Sequence, residues 1–284
     1  MMQLIPMTMS RANVWTRATL LAAPVLAIQI AVTQVQTDLG VAVLGTAQAQ
    51  EEQKKQQETR RTPALRNKVY EKLAEAQAAA EAKDLATAQK VLDGMISAGG
   101  KNELNSYELA NVYNLYAFIH YSREDYGKAL QAYENVVKQP DIPLAMEINT
   151  RYTIAQLYFV QEQWKRGIDA LLAWFKMTDN PPETAYVLLA QGYYQLKDYN
   201  KSLQNVAIAI NMYKDKGKVP KEQWYNLARF LYFEKNDVNN TVDTLEELLT
   251  HYPKKQYWVQ LSHMYGEQKK DTQQLAAMET AYVQ

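Results

Sequence analysis

The sequence has no cysteine, only 10 glycines and only 3 histidines among its 284 residues. A chain without cysteine cannot form disulfides, a thiol nucleophile or a cysteine-ligated zinc or iron–sulfur site. The histidines, His120, His251 and His263, are far apart in the sequence, and none has a second histidine at the spacing of a metal-binding helix. We therefore expect neither a metal nor a cofactor.

An excess of charge of either sign is also missing, because 31 Lys and Arg balance 31 Asp and Glu. Nucleic-acid binding normally needs a basic stripe, so nucleic acid is not an expected partner. The motifs H-E-x-x-H, G-x-S-x-G, the Walker loop and G-x-G-x-x-G are all absent from the sequence. We expect no enzyme; the alternative is that the chain regulates a catalytic domain beyond Gln284.

The first 49 residues have the layout of a secretory signal. Arg11 and Arg17 precede an apolar run over residues 19–32, and the small-x-small triplet Ala47-Gln48-Ala49 follows. This predicts export, with cleavage after Ala49. An uncleaved anchor and a buried helix are the alternatives, although a membrane span needs ~20 apolar residues and this run is shorter. No later stretch is apolar enough, so the mature chain is predicted to lack a transmembrane span.

Residues 50–68 are predicted to be a charged linker, since 51–62 reads EEQKKQQETRRT without any periodic apolar position. The next stretch, 71–88, is rich in Ala and Glu and predicts a helix by propensity alone. It could pack as part of the following domain or begin a coiled coil.

The rest of the chain repeats one helical unit. A first element of pattern large-x2-aliphatic-small-x2-large begins at Arg151, Tyr186, Trp224 and Trp258. A second element, small-or-polar-x3-large, begins at Ala88, Ala129, Gly167, Ser202, Thr241 and Gln274. Spacings of three and four keep apolar residues on one helix face, so each unit is predicted to be a pair of amphipathic helices that needs a neighbour.

These patterns resemble the tetratricopeptide repeat (TPR), W-x2-L-G-x2-Y followed by A-x3-F and P. The likeness covers residues 69–284 and implies an all-α superhelix, or solenoid, of about six helix-turn-helix repeats. Prolines at 140, 181, 182, 220 and 253 are expected to follow the ends of second helices. The last unit keeps the apolar Met278, Ala281 and Val283, so either the natural chain continues or this end docks on another molecule.

The resemblance also implies a groove lined by the first helix of each unit. Counting positions five, nine and twelve of each repeat predicts a partner-binding strip of aromatic and amide side chains. Its members are Tyr152, Gln156, Phe159, Gln191, Tyr194, Tyr225, Arg229, Tyr232 and His263, with Asn114, Phe118, Tyr121, Val187 and Val259 continuing it. Such a strip suits a protein or peptide partner, because rigid rings give contact area at low entropic cost. The aromatics at position twelve could equally be packing residues.

The segment Glu58 to Gln77, ETRRTPALRNKVYEKLAEAQ, resembles the exported TPR protein that some Gram-negative bacteria encode with TonB, ExbB and ExbD. This resemblance implies a periplasmic accessory component of TonB-dependent nutrient uptake, with TonB-system proteins as partners. The alternative is a TPR coordinator of Tol–Pal or of peptidoglycan synthesis.

Overall fold

The computed structural model describes residues 63–283, and within this range the chain is helical without strands. The predicted signal and most of the predicted linker lie outside the described residues. Twelve α-helices follow one another in this range, joined by short turns, with one 3-10 helix at Gly100–Asn102. They are α1 (Asn67–Glu81), α2 (Leu85–Ile96), α3 (Ser106–Ser122), α4 (Tyr126–Val137), α5 (Leu144–Val160), α6 (Trp164–Phe175), α7 (Glu183–Gln195), α8 (Tyr199–Asp215), α9 (Glu222–Glu234), α10 (Val238–His251), α11 (Lys255–Glu267) and α12 (Asp271–Val283).

The helices pack as six consecutive antiparallel pairs, α1–α2 to α11–α12, and the second helix of each pair packs on the first helix of the next. The predicted all-α solenoid of six helix-turn-helix units is therefore confirmed. We call the odd-numbered helices A helices and the even-numbered ones B helices. The Ala-rich stretch 71–88 belongs to the first pair, where Ala76, Ala80 and Ala88 are buried against α3.

Each A helix ends in the same turn, and that turn defines the register of the repeat. Its middle residue has a positive φ, which is the left-handed conformation of a helix C-cap; these residues are Lys83, Glu124, Glu162, Lys197, Asn236 and Lys269. In the fourth unit the N–H of Asp198 donates to the carbonyl of Tyr193 at 2.9 Å, and the N–H of Lys197 donates to that of Tyr194. This is a Schellman motif, and it satisfies the last carbonyls of α7.

The residue after the turn caps the B helix. The side chains of Asp84, Asp125, Asp198 and Asp237 each accept a hydrogen bond from the backbone N–H three residues later. Aspartate is favoured here because its carboxylate satisfies a backbone donor that has no partner inside the helix. In these four units the aspartate is therefore both the last residue of the turn and the N-cap of the B helix.

The first pair is tied to the second by an ion pair. Arg66, just before α1, donates from Nε and Nη2 to the two carboxylate oxygens of Glu108 at 2.8 and 2.6 Å. It also donates to the carbonyls of Lys101 and Glu103. The Glu108 carboxylate closes the capping box of α3 with Asn105, and the hydrogen bonds from Arg66 lower its pKa. No motif in the sequence indicates this ion pair.

Candidate partner-binding face

The turns give a second way to align the A helices with one another. This alignment changes the repeat numbering of one unit, the fifth. The fourth position of a repeat lies eleven residues before the positive-φ residue. This count places Arg151, Tyr186 and Trp258 there, as the sequence pattern does, and it places Tyr113 there in the second unit. In the fifth unit the same count from Asn236 reaches Tyr225, whereas the sequence pattern assigned Trp224. The sequence alignment of α9 is thus out of register by one residue, a rotation of about 100° around the helix.

The shift explains why two predicted groove residues are buried. Tyr225 is 1% exposed, and its hydroxyl donates to Glu247 of α10 at 2.6 Å. Arg229, 5% exposed, occupies the position that Ala190 holds in α7. Its Nε donates to Asn226 at 2.8 Å, and burial lowers the pKa of its guanidinium to about 10. The expectation that Tyr225 and Arg229 line an accessible groove is therefore corrected.

In the turn-based register the fifth, ninth and twelfth positions of α9 are Asn226, Phe230 and Phe233, which are all half-buried. Tyr232 moves to the eleventh position and is half-buried too, and burial raises its pKa. The signal that identifies these residues was present in the sequence. Asp237 stands four residues before Thr241, as Asp198 stands before Ser202, and counting back from this aspartate gives the correct register.

Position twelve is a packing position in the second, third and fourth units. Its aromatic ring lies against the aromatic ring that begins the following B helix, with centroids 5.5 to 6.2 Å apart; the pairs are Tyr121 with Tyr126, Phe159 with Trp164, and Tyr194 with Tyr199. Phe159 is 4% exposed, so it too departs from the predicted groove. A Cβ on Gly167 would lie 3.0 Å from its ring, and one on Gly192 only 2.5 Å. Both glycines therefore make room for Phe159.

The other predicted residues lie at the surface. Tyr152, Gln156, Gln191 and Tyr194 are half-buried, and His263 is exposed. Burial raises the pKa of the Tyr152 hydroxyl, and the side chains of Gln156 and of Thr184 in α7 act on that pKa in the opposite direction. The Tyr152 ring lies 4.5 Å from that of Trp174. Tyr152 therefore packs by its ring against α6.

Neighbouring A helices touch through these side chains. The ring of Tyr194 on α7 packs against Phe230 of α9 at 5.7 Å between centroids. Asn226 of α9 donates to the hydroxyl of Tyr257 in α11 at 2.8 Å. Side-chain contacts therefore join α7 to α9 and α9 to α11.

We define the A-helix face as the second, fifth and ninth positions of the six A helices, counted from the turns. None of its residues is buried. It consists of Tyr70, Leu73, Gln77, Asn111, Asn114, Phe118, Asn149, Tyr152, Gln156, Thr184, Val187, Gln191, Gln223, Asn226, Phe230, Gln256, Val259 and His263.

Residues 63–283 contain no cluster of three or more His, Asp or Glu side chains that could hold a metal ion. In the same range no helix is long and apolar enough to cross a membrane. The A-helix face itself carries no nucleophile paired with a base. What it offers chemically is ring surface together with amide donors and acceptors.

No protein-family model and no curated protein match the sequence. Solved structures are similar in fold. The crystal structure of MamA superposes with a TM-score of 0.50 at 14% identity, over 61% of this chain and 90% of MamA. The apo form of RapI gives 0.50 at 8% identity, over 76% of this chain and 96% of RapI. YrrB, a TPR protein described with an unusual peptide-binding site, gives 0.48 at 12%, over 62% and 84%.

At these identities the likenesses show the fold alone, a solenoid of helix pairs. This chain is similar to MamA and RapI in that fold. A role in the TonB system stays a prediction from the sequence.

Proposed function

We propose that residues 63–283 are a non-enzymatic scaffold that binds a segment of another protein along the A-helix face. The observation that carries this proposal is a row of unburied rings and amides at the second, fifth and ninth positions of consecutive A helices, in which Phe230 is packed against Tyr194 of the preceding A helix. Aromatic side chains dominate protein-binding hot spots because they bury large areas with few rotatable bonds. The fold of stacked helix pairs, which this chain shares with MamA and RapI, is consistent with this use.

The finer proposal is a periplasmic accessory component of TonB-dependent energy transduction and nutrient uptake. It is supported by the resemblance of residues 58–77 and by the predicted secretory signal at 1–49. The partner would then be a segment of TonB, ExbB, ExbD or an outer-membrane receptor. No bond is made or broken, and the scaffold positions its partner. Tol–Pal and peptidoglycan machinery form the second candidate.

In-cell photo-crosslinking tests both levels of the proposal. A photoreactive residue replaces Phe230 on the A-helix face, and a matched variant carries it at Asp243, which is exposed on α10. Mass spectrometry then identifies the captured proteins. Capture of a TonB-system protein from Phe230 alone supports the full proposal, and capture of Tol–Pal or cell-wall proteins selects the second candidate. Equal capture from both positions contradicts the assignment of the face.

A further inference from the structure

The A-helix face is uncharged. Among its eighteen positions in the described part of the chain there is no Asp, Glu, Lys or Arg, and nine are Asn or Gln. Charged residues make up 22% of the sequence, so about four would be expected among eighteen such surface positions. Unburied positions of a solenoid are normally where charges accumulate, because charged side chains are costly only in the interior.

The outer surface of the B helices differs. Its exposed residues include Lys165, Arg166 and Asp169 on α6, and Asp243 and Glu246 on α10. The outer surface of the B helices therefore carries charge, whereas the eighteen positions of the A-helix face carry none. Three exposed glutamates, Glu81, Glu234 and Glu267, lie on the same side of the A helices but at their last residues, beyond the ninth position. Solubility alone gives no reason for such an asymmetry, since charges on either side would serve it.

Rings and amides together match the chemistry of an extended main chain. An Asn or Gln amide presents both donors and an acceptor, as a peptide group does. Helix axes that pack together lie about 8–10 Å apart, and an extended chain rises about 3.3 Å per residue, so each A helix would face about three residues of a bound segment. Six A helices would then span roughly twelve to fifteen residues.

We propose that the A-helix face selects an extended peptide segment of about twelve residues that is itself uncharged, recognised through its backbone and through polar or apolar side chains. The proposal rests on the proposed function, and it adds the chemistry of the partner. A charged side chain buried against amides and rings would lose its hydration without gaining a counter-ion. We expect this to weaken binding about tenfold per charge, equivalent to about 1.4 kcal/mol.

The test is selection from a phage-displayed library of random 12-residue peptides on the full repeat protein. Two variants are selected in parallel. One carries Gln156→Lys and Gln191→Lys on the A-helix face, and the matched control carries Gln131→Lys and Gln204→Lys, which are exposed on α4 and α8. Glutamine and lysine have similar helix propensity, so both variants should fold; circular dichroism checks this.

Wild-type protein should enrich peptides with fewer charged residues than the input library. The face variant should shift the selection toward Asp and Glu, and the control variant should select as wild type does. For one enriched synthetic peptide, the Kd should change less than about twofold between roughly 0.05 and 0.5 M salt, because no ion pair is screened.

Enrichment of charged peptides by the wild type, or the same selection by the face variant, would overturn the inference while leaving the proposed function in place. Absence of any enriched peptide would overturn both. Neutral oligosaccharides form a second arm, since rings and amides also suit sugars. Their binding without peptide enrichment would likewise contradict both proposals.

Discussion

The fourth and fifth units, α7–α8 and α9–α10, share a turn and a cap but differ where their two helices approach most closely. In the fourth unit this position is Ala190, and the Ser202 hydroxyl of α8 donates to its carbonyl at 2.7 Å. In the fifth unit the position is Arg229. The equivalent hydroxyl, Thr241, bonds the carbonyl of its own cap Asp237 instead. A small residue permits a close helix pair, and a large one loosens it.

The fifth unit packs less closely within its helix pair, but its A helix makes additional contacts with the A helix of the sixth unit. The Arg229 guanidinium lies over the Tyr257 ring of α11 at 5.4 Å. Tyr257 is 1% exposed, and its hydroxyl accepts from Asn226 and donates to Glu222 at 2.5 Å. Lys254, just before α11, also binds Glu222. Successive A helices are therefore joined here by polar contacts, and the comparison shows that one solenoid can use two kinds of junction.

The largest effect on stability is expected when Ala190 of the fourth unit is replaced by arginine, the residue at the same position of the fifth unit. Ala190→Arg places a long charged side chain where Ala190 is fully buried and its carbonyl is bonded by Ser202. Overpacking and an uncompensated buried charge should lower the free energy of unfolding by about 3 kcal/mol or more. Urea unfolding measures this, with Gln204→Arg on the exposed side of α8 as control. A loss below about 1 kcal/mol would mean that α7 and α8 are not closely packed.

The second-largest effect is expected from weakening the polar contacts between the fifth and sixth units. Tyr257→Phe leaves Glu222 and Asn226 without the hydroxyl and should cost about 1–2 kcal/mol. Hydrogen exchange should show faster opening of α11 and α12 than of α7 and α8. The control is Tyr199→Phe, a half-buried tyrosine that packs by its ring against Tyr194. Equal effects of the two substitutions would argue against a polar junction.

The shared caps should behave alike in both units. Asp198→Ala and Asp237→Ala each remove a carboxylate that accepts from the backbone N–H three residues later. Each should cost about 1 kcal/mol, measured by thermal unfolding. Asp243→Ala, in the middle of α10, should change stability little. A difference of more than about 1 kcal/mol between the two caps would show that the turns are not equivalent.

The smallest effect is expected on stability at acid pH, through Glu183 and Glu222, which occupy the same position in the fourth and fifth units. Burial raises the pKa of Glu222, but the hydrogen bonds from Lys254 and Tyr257 and the charge of Lys254 outweigh it, so the pKa is lowered. The hydrogen bond from Lys216 lowers that of Glu183. Each contribution is complete above the unfolded pKa of about 4.3 and is lost as pH falls through the folded value.

Since the glutamates are partly solvated, each contribution should be below about 1 kcal/mol. Glu222→Gln should flatten the acid limb of the stability curve more than Glu183→Gln, because Glu222 also binds Tyr257. Urea unfolding between pH 3 and 7 provides the comparison. An equal flattening would assign no special role to the hydroxyl of Tyr257.

The sequence predicted the pairs of helices and the B-helix positions well, because small residues such as Ser202 and Thr241 recur at fixed distances from a capping Asp. Prolines 140, 181, 220 and 253 do follow the ends of α4, α6, α8 and α10. Helix caps and helix-ending prolines depend on residues close together in the sequence, so a sequence pattern can predict them.

The groove was harder to predict, because one residue of register rotates a side chain from the surface into the core. The sequence pattern aligned Trp224 with Trp258 because both are tryptophans, although the spacing from the turn aligns Tyr225 with Trp258. Tyr225 and Arg229 were therefore predicted to lie at the surface of α9, whereas both are buried. The Arg66–Glu108 tie joins residues 42 apart through the fold, so no periodic pattern could indicate it.

The measurement that tests the account most directly is a photo-crosslinking scan along α9, with the reactive residue placed at each position from 222 to 234 in turn. We predict the strongest capture of a partner at Gln223, Asn226 and Phe230, with a period near 3.6 residues, and weak capture at Tyr225 and Arg229. Capture that peaks at Tyr225 and Arg229, or that shows no helical period, would contradict the proposed binding face.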